Sequence, residues 1–204
     1  MVCKKLSGAP KNQDTANHHQ SQHAHNLASD WQRGLSVSKR YEWLVDCYRM
    51  RVDDECINGG ITNGCLYDPD HTKLSVVADF FIFCKLASLR KAIPSQWNWK
   101  DFLKVAEGLI PYAFEKSDAQ EKYGSENVFS VLTGGRSLRA TGEAIYNRSV
   151  MDTVNYDGDH QRLQEVVEEI FDSSKVFLEH AKEFEDIGGS NTWSNFYKSL
   201  KITN

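Results

Sequence analysis

The sequence predicts an all-α protein, a single irregular bundle of about six to eight helices, and three observations carry that reading. Apolar residues recur at three- and four-residue steps along most of the chain. Glycine and proline fall where those stretches end, and no pair of alternating apolar and polar runs marks a hairpin. At 204 residues the chain is long enough for one domain with its own core and short for two.

Residues 1–37 are rich in Gln, Asn, Ser, His and Lys, with Leu27 and Trp31 almost alone as bulky apolar groups. Such a composition buries too little surface to offset its ordering entropy, so a disordered tail is predicted there and a helical domain over 38–202. Tyr41, Leu44, Val45, Tyr48 and Val52 mark one face of the first helix, starting at Val37, with Arg49, Arg51, Asp53 and Asp54 placed around it. Cys56 to Asp70 holds Gly59, Gly60, Gly64 and Pro69 and reads as a loop, packed down by Ile57, Ile61, Leu66 and Tyr67. Leu74, Val77, Phe81 and Leu89 lie at helical spacing, and Phe80, Ile82 and Phe83 make this second helix apolar nearly all round, as a central helix must be. Asp79 and Lys85 interrupt the run, which is far shorter than the roughly 20 residues of a membrane span.

Beyond Pro94, Asn98 is placed to cap a helix with Asp101 in its favourable first turn, running through Ile110 to Pro111. A shorter helix over Tyr112 to Lys122, closed by Gly124, follows. Gly134-Gly135 precede another short one over Arg136 to Tyr146, and Asn147 to Gly158 reads as a connector. Asp159 is expected to cap a long helix whose stripe of Leu163, Val166, Val167, Ile170, Phe171, Phe177, Ala181 and Phe184 ends at Gly188-Gly189. Ser190 is expected to cap the last helix, which carries Trp193, Phe196, Tyr197 and Leu200.

Twenty-four basic against 28 acidic side chains give a net charge of −4, without the positive field that draws a chain to nucleic acid or an anionic membrane. Five cysteines, none in a Cys-x-x-Cys pair, argue against a disulfide framework and against a zinc finger. The N-terminal lysines are followed by no apolar run, so no signal peptide is read and a cytoplasmic or nuclear location is expected. His18, His19, His23 and His25 crowd into the tail, where a compositional His/Gln tract explains them without a metal, and no cofactor is predicted.

Three polar constellations stand out. Asp53-Asp54-Glu55 follows Arg49 and Arg51, but the inward Glu-x-x-His pairs of a helical di-iron site are missing, so an ion-pair network between helices is the expectation. In the block Glu115 to Gly124, Glu115 and Asp118, with Glu121 or Lys122 next, share a helix stripe that can serve either general acid–base work or hydrogen bonding between helices. Gly134-Gly135-Arg136-Ser137 can cradle an anion under Arg136 or Arg139, or simply turn into a helix; it lacks the spacing of a P-loop. No serine sits in a strand–turn–helix elbow, and the tryptophans and tyrosines, without an interleaved basic stripe, read as core and interface material.

Tyr48-Arg49-Met50-Arg51-Val52-Asp53-Asp54-Glu55, Leu66-Tyr67, Asp79-Phe80, Ile93-Pro94 with Trp97, the block Glu115-Lys116-Ser117-Asp118-Ala119-Gln120-Glu121-Lys122-Tyr123-Gly124 and Leu138-Arg139-Ala140-Thr141-Gly142-Glu143-Ala144-Ile145-Tyr146 follow one another in that order. Together they resemble the region downstream of the zinc finger in fungal MYND-type zinc-finger proteins, over about Lys39 to Tyr146. The closely spaced cysteine pairs of the finger itself are absent, so roles credited to the finger do not transfer. The resemblance implies a non-catalytic intracellular interaction or regulatory module whose partner is another protein, with no nucleic acid and no membrane. On that reading Arg49, Arg51, Asp53, Asp54, Glu115, Asp118, Glu121, Arg136 and Arg139 form a polar network or frame a groove, the arginines of the first helix neutralising the acids of the Glu115–Glu121 stripe. The alternative is an enzyme using Asp53, Glu115 and Asp118, with Arg51 and Arg136 as anion binders.

Overall fold

The first apolar stripe becomes helix α1, Val37–Gly59, in a computed structural model that describes residues 31–60, 62, 64–123, 129, 136–152, 156–171 and 176–202. The Ser36 side chain accepts from the Lys39 amide at its start, and Gly60, at φ 62°, takes the left-handed conformation that ends it. The helix therefore runs through Cys56, where a loop was expected; nothing before Gly60 breaks it, and Asn58 bonds back to the Asp54 carbonyl at 2.8 Å. Helix α2, Lys73–Leu89, opens with a reciprocal capping box between Thr72 and Ser75. Its Phe80 is fully buried and touches rings of Tyr48 (4.9 Å), Phe196 (5.8 Å), Phe102 (5.9 Å) and Trp193 (6.1 Å) at tilted or edge-on angles, which makes α2 the centre of the core.

Helix α3, Trp99–Leu109, is capped by the Asn98 side chain as expected. Helix α4, Lys116–Tyr123, begins later than the spacing suggested, because Arg49 of α1 binds the Tyr112 and Ala113 carbonyls (3.1 and 2.5 Å) that a helix would have used. Helix α5, Leu138–Tyr146, starts at a Ser137 cap and ends on Asn147 at φ 51°. Helix α6, Gly158–Phe171, is capped by Asp157, which accepts from the His160 amide at 3.0 Å. Asp159, expected to cap it, instead pairs with Arg90 at 2.6 Å, and Arg90 also binds Asp157, so the start of α6 is tied to the end of α2.

The expected long C-terminal helix is broken. Helix α7, Val176–Glu179, is followed by a 3₁₀ segment, Ala181–Ile187, whose three-residue turn puts Phe184 and Ile187 on the same side and wholly in the core. Buried Lys85 of α2 holds this segment through the Glu183 carbonyl (3.0 Å) and Asp186 (2.6 Å). Helix α8, Ser190–Ser199, has Gly189 rather than Ser190 in the cap position and no side-chain cap. In the bundle α1 packs on α5 and α3, while α2 packs on α6, α5, α8 and the 3₁₀ segment.

The body also begins earlier than the composition suggested. Trp31 is 3% exposed, its indole donates to the Ala92 carbonyl at 2.9 Å, and Arg136 binds the Trp31 and Arg33 carbonyls at 3.1 and 2.6 Å. One aromatic and one arginine outweigh the polar average of the segment. The tail histidines, Cys3, Gly124 and Gly134-Gly135 lie outside the described residues. Among the described residues no element is a strand and no helix is long and apolar enough to cross a membrane.

Gly188 sits at φ 100°, and a β-carbon there would stand 2.4 Å from Cβ of Trp99. Gly188→Ala should therefore combine left-handed strain with a clash against a rigid ring and lower stability by about 2 kcal/mol or more, read as the urea unfolding midpoint.

Candidate functional site

Helix α1 carries Asp46, Asp54 and Glu55 inward, and each of these finds cations. Asp46, 1% exposed, accepts from Arg49 (2.7 Å), Lys122 (2.8 Å) and the Tyr123 hydroxyl (2.7 Å). Asp54, 3% exposed, takes a two-pronged contact from Arg139 at 2.7 and 2.8 Å. One oxygen of Glu55 receives both Arg51, at 2.8 Å, and Arg148. Arg51 and Arg148 are themselves buried, and they lie over the rings of Tyr146 (4.7 Å) and Tyr156 (4.8 Å).

The residues singled out from the sequence divide accordingly. Arg49, Arg51, Asp54 and Arg139 are ion-paired at the α1 surface, and Asp53 accepts from the Tyr67 hydroxyl at 3.2 Å. Arg136 anchors the Trp31–Arg33 turn and lies 5.3 Å from the Trp43 ring, so it is committed to the N-terminal edge of the body. Glu115, Asp118 and Glu121 are exposed, and no ion pair among the described residues joins them to Arg49 or Arg51. The expected pairing is reversed in sign: α4 docks on α1 through Lys122 and Tyr123, which reach inward to Asp46, and its acids are left to water. A carboxylate in water has no need of a partner, whereas buried Asp46 does.

A cleft of about 910 Å³ opens beside this network. Ser75, Ala78, Asp79 and Ile82 present one face of α2, and His160, Gln164, Val167 and Phe171 one face of α6, both at the three- and four-residue steps that align side chains on a helix. Val52 and Glu55 of α1, Cys65 of the loop, Tyr146 and Tyr156 complete the walls. The volume lies in the range of small-molecule sites, as does the mixture of an apolar wall with a few convergent polar groups.

The electrostatics of the cleft are unlike those of α1. Asp79 accepts a 2.7 Å hydrogen bond from the Tyr48 hydroxyl and has no ion pair among the described residues. Burial pushes its carboxyl up to about 7, the Tyr48 hydrogen bond acting against this and the nearby Glu55 charge adding to it. Burial draws the His160 imidazole down to about 4, with Arg148 and Arg51 adding to the effect and Asp157 opposing it. His160 is 5% exposed, its ring centroid is 3.8 Å from that of Tyr156, and its Nδ1 has no hydrogen-bond partner among the described residues. Burial pushes the Cys65 thiol up to about 11, so it is not a thiolate at neutral pH. Among the described residues no His, Cys, Asp and Glu gather in a group of three that could hold a metal, and Cys47, Cys56, Cys65 and Cys84 are free thiols.

Sequence reasoning missed Asp79, His160, Tyr146 and Tyr156 as site residues. The available signal was Asp79 itself: a carboxylate inside a helix that is apolar all round has to be buried, and a buried carboxylate without a cation is either neutralised or functional.

Glu55→Gln removes the charge that balances two buried arginines and should cost about 3–5 kcal/mol in urea unfolding, far more than Glu115→Gln on the solvated face of the chain. Asp79 and His160 should oppose each other in pH dependence. Asp79 binds its proton more tightly folded than unfolded, so its contribution is complete below about 4 and is lost as pH rises through about 7. His160 binds its proton more weakly when folded, so its contribution is present above about 6.5 and is lost as pH falls through about 4. Denaturation from pH 4 to 8 should show Asp79→Asn gaining stability relative to the parent chain as pH rises, with most of the gain complete by pH 8. Comparison of the chain with protein-family models, with curated proteins and with solved structures finds no match.

Proposed function

We propose that the chain is a non-catalytic regulatory module that binds a small organic molecule in the cleft between α1, α2 and α6 and works through a protein partner in the cytoplasm or nucleus. The observation that carries the ligand-binding half is the 910 Å³ cleft, with Asp79, Glu55, Tyr146, Tyr156 and His160 converging on it beside an apolar wall. The regulatory half is supported by the resemblance of about Lys39 to Tyr146 to the helical region of fungal MYND-type proteins. A net charge of −4 favours a protein partner over nucleic acid.

The absence of an activated nucleophile on the cleft wall supports a binding role. The Ser75 hydroxyl is occupied in the Thr72 capping box, Cys65 donates to the Thr62 carbonyl at 3.1 Å, and its thiol is held protonated. A second reading, an enzyme working by proton transfer, is favoured by one observation: the Asp79 carboxyl titrates near neutrality, where a general acid or base works best. Its carboxylate would then be Asp79, in place of Asp53, Glu115 and Asp118, which the fold spreads over other surfaces.

Protein-observed methyl NMR of the full chain against a fragment library tests the binding role. Hits should shift the methyl resonances of Ala78, Ile82 and Val167, and Val167→Trp, which fills the cleft from α6, should weaken them about tenfold or more. Hits that leave those methyls unmoved, or that bind Val167→Trp equally well, would overturn it. Chemical turnover of a hit that stops in Asp79→Asn would replace it with the enzyme reading.

A further inference from the structure

The charged residues that line the cleft, among those described, are all acids. Glu55, Asp79 and Glu168 line it, and among the described residues no lysine or arginine does. Arg51 and Arg148, behind the wall, share one oxygen of Glu55 and lie over the faces of Tyr146 and Tyr156, so the Glu55 charge is already met from within the chain, whereas Asp79 has no ion pair among the described residues. An anionic group placed at Asp79 would meet a carboxylate that no ion pair among the described residues offsets, which selects against it there.

The two inner carboxylates also have acceptor capacity to spare. Among the described residues Asp79 accepts through Oδ2 alone and Glu55 through Oε1 alone. Each carboxylate has a second oxygen able to take hydrogen bonds, so the cleft offers acceptors to a donor-rich ligand. The two charges are close enough that Glu55 raises the affinity of Asp79 for its proton. Leu74, Ala78, Ile82, Val167 and Phe171 supply an apolar wall in the same cleft.

We infer that the cleft takes an organic ammonium ion, a primary or secondary amine on an apolar body, whose nitrogen donates to Asp79 and whose body lies along the α2 and α6 wall. The inference rests on the ligand-binding role proposed above and adds the charge of the ligand. It places at Asp79 the cation that Asp46, Asp54 and Glu55 obtain from within the chain. The interaction is a charge-assisted hydrogen bond in a partly dry site, which is stronger than a neutral one and forms only if the donor carries the opposite charge. The exposed Glu168 stands on the same wall and adds attraction for a cation approaching from water.

Three probes of like shape separate charge from shape: 2-phenylethylamine, 2-phenylethanol and 3-phenylpropanoate, titrated by NMR into the full chain and into Asp79→Asn. The amine should bind about tenfold or more tightly than the propanoate. In Asp79→Asn that preference should fall to within about twofold while the alcohol binds as before, which also shows that the variant is folded and its cleft intact. An amine preference that survives Asp79→Asn would overturn the placement at Asp79. Equal binding of all three, or preference for the propanoate, would overturn the charge selection and leave the ligand-binding role standing. No binding by any of them, with no fragment mapping to the Ala78, Ile82 and Val167 methyls, would overturn both.

Discussion

Three carboxylates on one buried helix have to be neutralised, and much of the architecture follows from how that is done. Asp46, Asp54 and Glu55 of α1 lie in the interior, where an unpaired charge costs several kcal/mol. Lys122 and Tyr123 come from α4, Arg139 from α5 and Arg148 from the segment after α5, so three separate stretches are fixed to α1 by charge. Helix α4 shows how far this goes. Ala119 is its only buried apolar residue, so its docking depends chiefly on two polar side chains that reach Asp46. The phenol of Tyr123 is held well above its usual value by burial first and by Asp46 second, which keeps it a donor.

Asp79 is the counterexample on the adjacent helix. It lines the cleft, its partner is the neutral hydroxyl of Tyr48, and among the described residues no arginine or lysine is paired with it. The fold supplies cations to Asp46, Asp54 and Glu55 of α1; Asp79, like Asp53, has a tyrosine hydroxyl instead, but it lines the cleft, where a proton or something that enters can neutralise it. Its neighbours reinforce the contrast. Tyr146 and His160 are likewise kept in their neutral forms by burial, so the inner surface is polar but carries little settled charge of its own.

The helices were largely legible from periodicity, because apolar residues on one face must be buried whatever they pack against. The α2 segment, apolar nearly all round, had to be central, and Asn98 before Trp99 had to be a cap. What was not legible depended on partners distant in sequence. The helix over Tyr112 could not be excluded without knowing that Arg49 takes its carbonyls, nor the 3₁₀ winding of Ala181–Ile187 without knowing that Lys85 waits for the Glu183 carbonyl. The polar network was read from the right helix, with the wrong partners. Charges on Glu115 and Asp118 are conspicuous in a sequence, but exposure removes their need for pairing, and the inward residues of the same block are Lys122 and Tyr123. The cleft left fainter marks, since Asp79, Tyr146 and His160 come from three elements and share no motif.

The contrast between α1 and Asp79 has a thermodynamic consequence for anything cationic in the cleft. A proton and an ammonium ion compete for the same carboxylate, because each neutralises the same buried charge. With the Asp79 carboxyl near 7, about half of the molecules at neutral pH carry the proton and must release it before the ion pair can form. Binding of any such cation is thereby coupled to acidity around pH 7, stronger on the alkaline side and weaker on the acid side. The ion pairs of α1 lack this property because their cations are covalently part of the chain and always present. The same physical requirement, that a buried carboxylate find a positive charge, therefore makes α1 a fixed strut and makes the neighbouring cleft responsive.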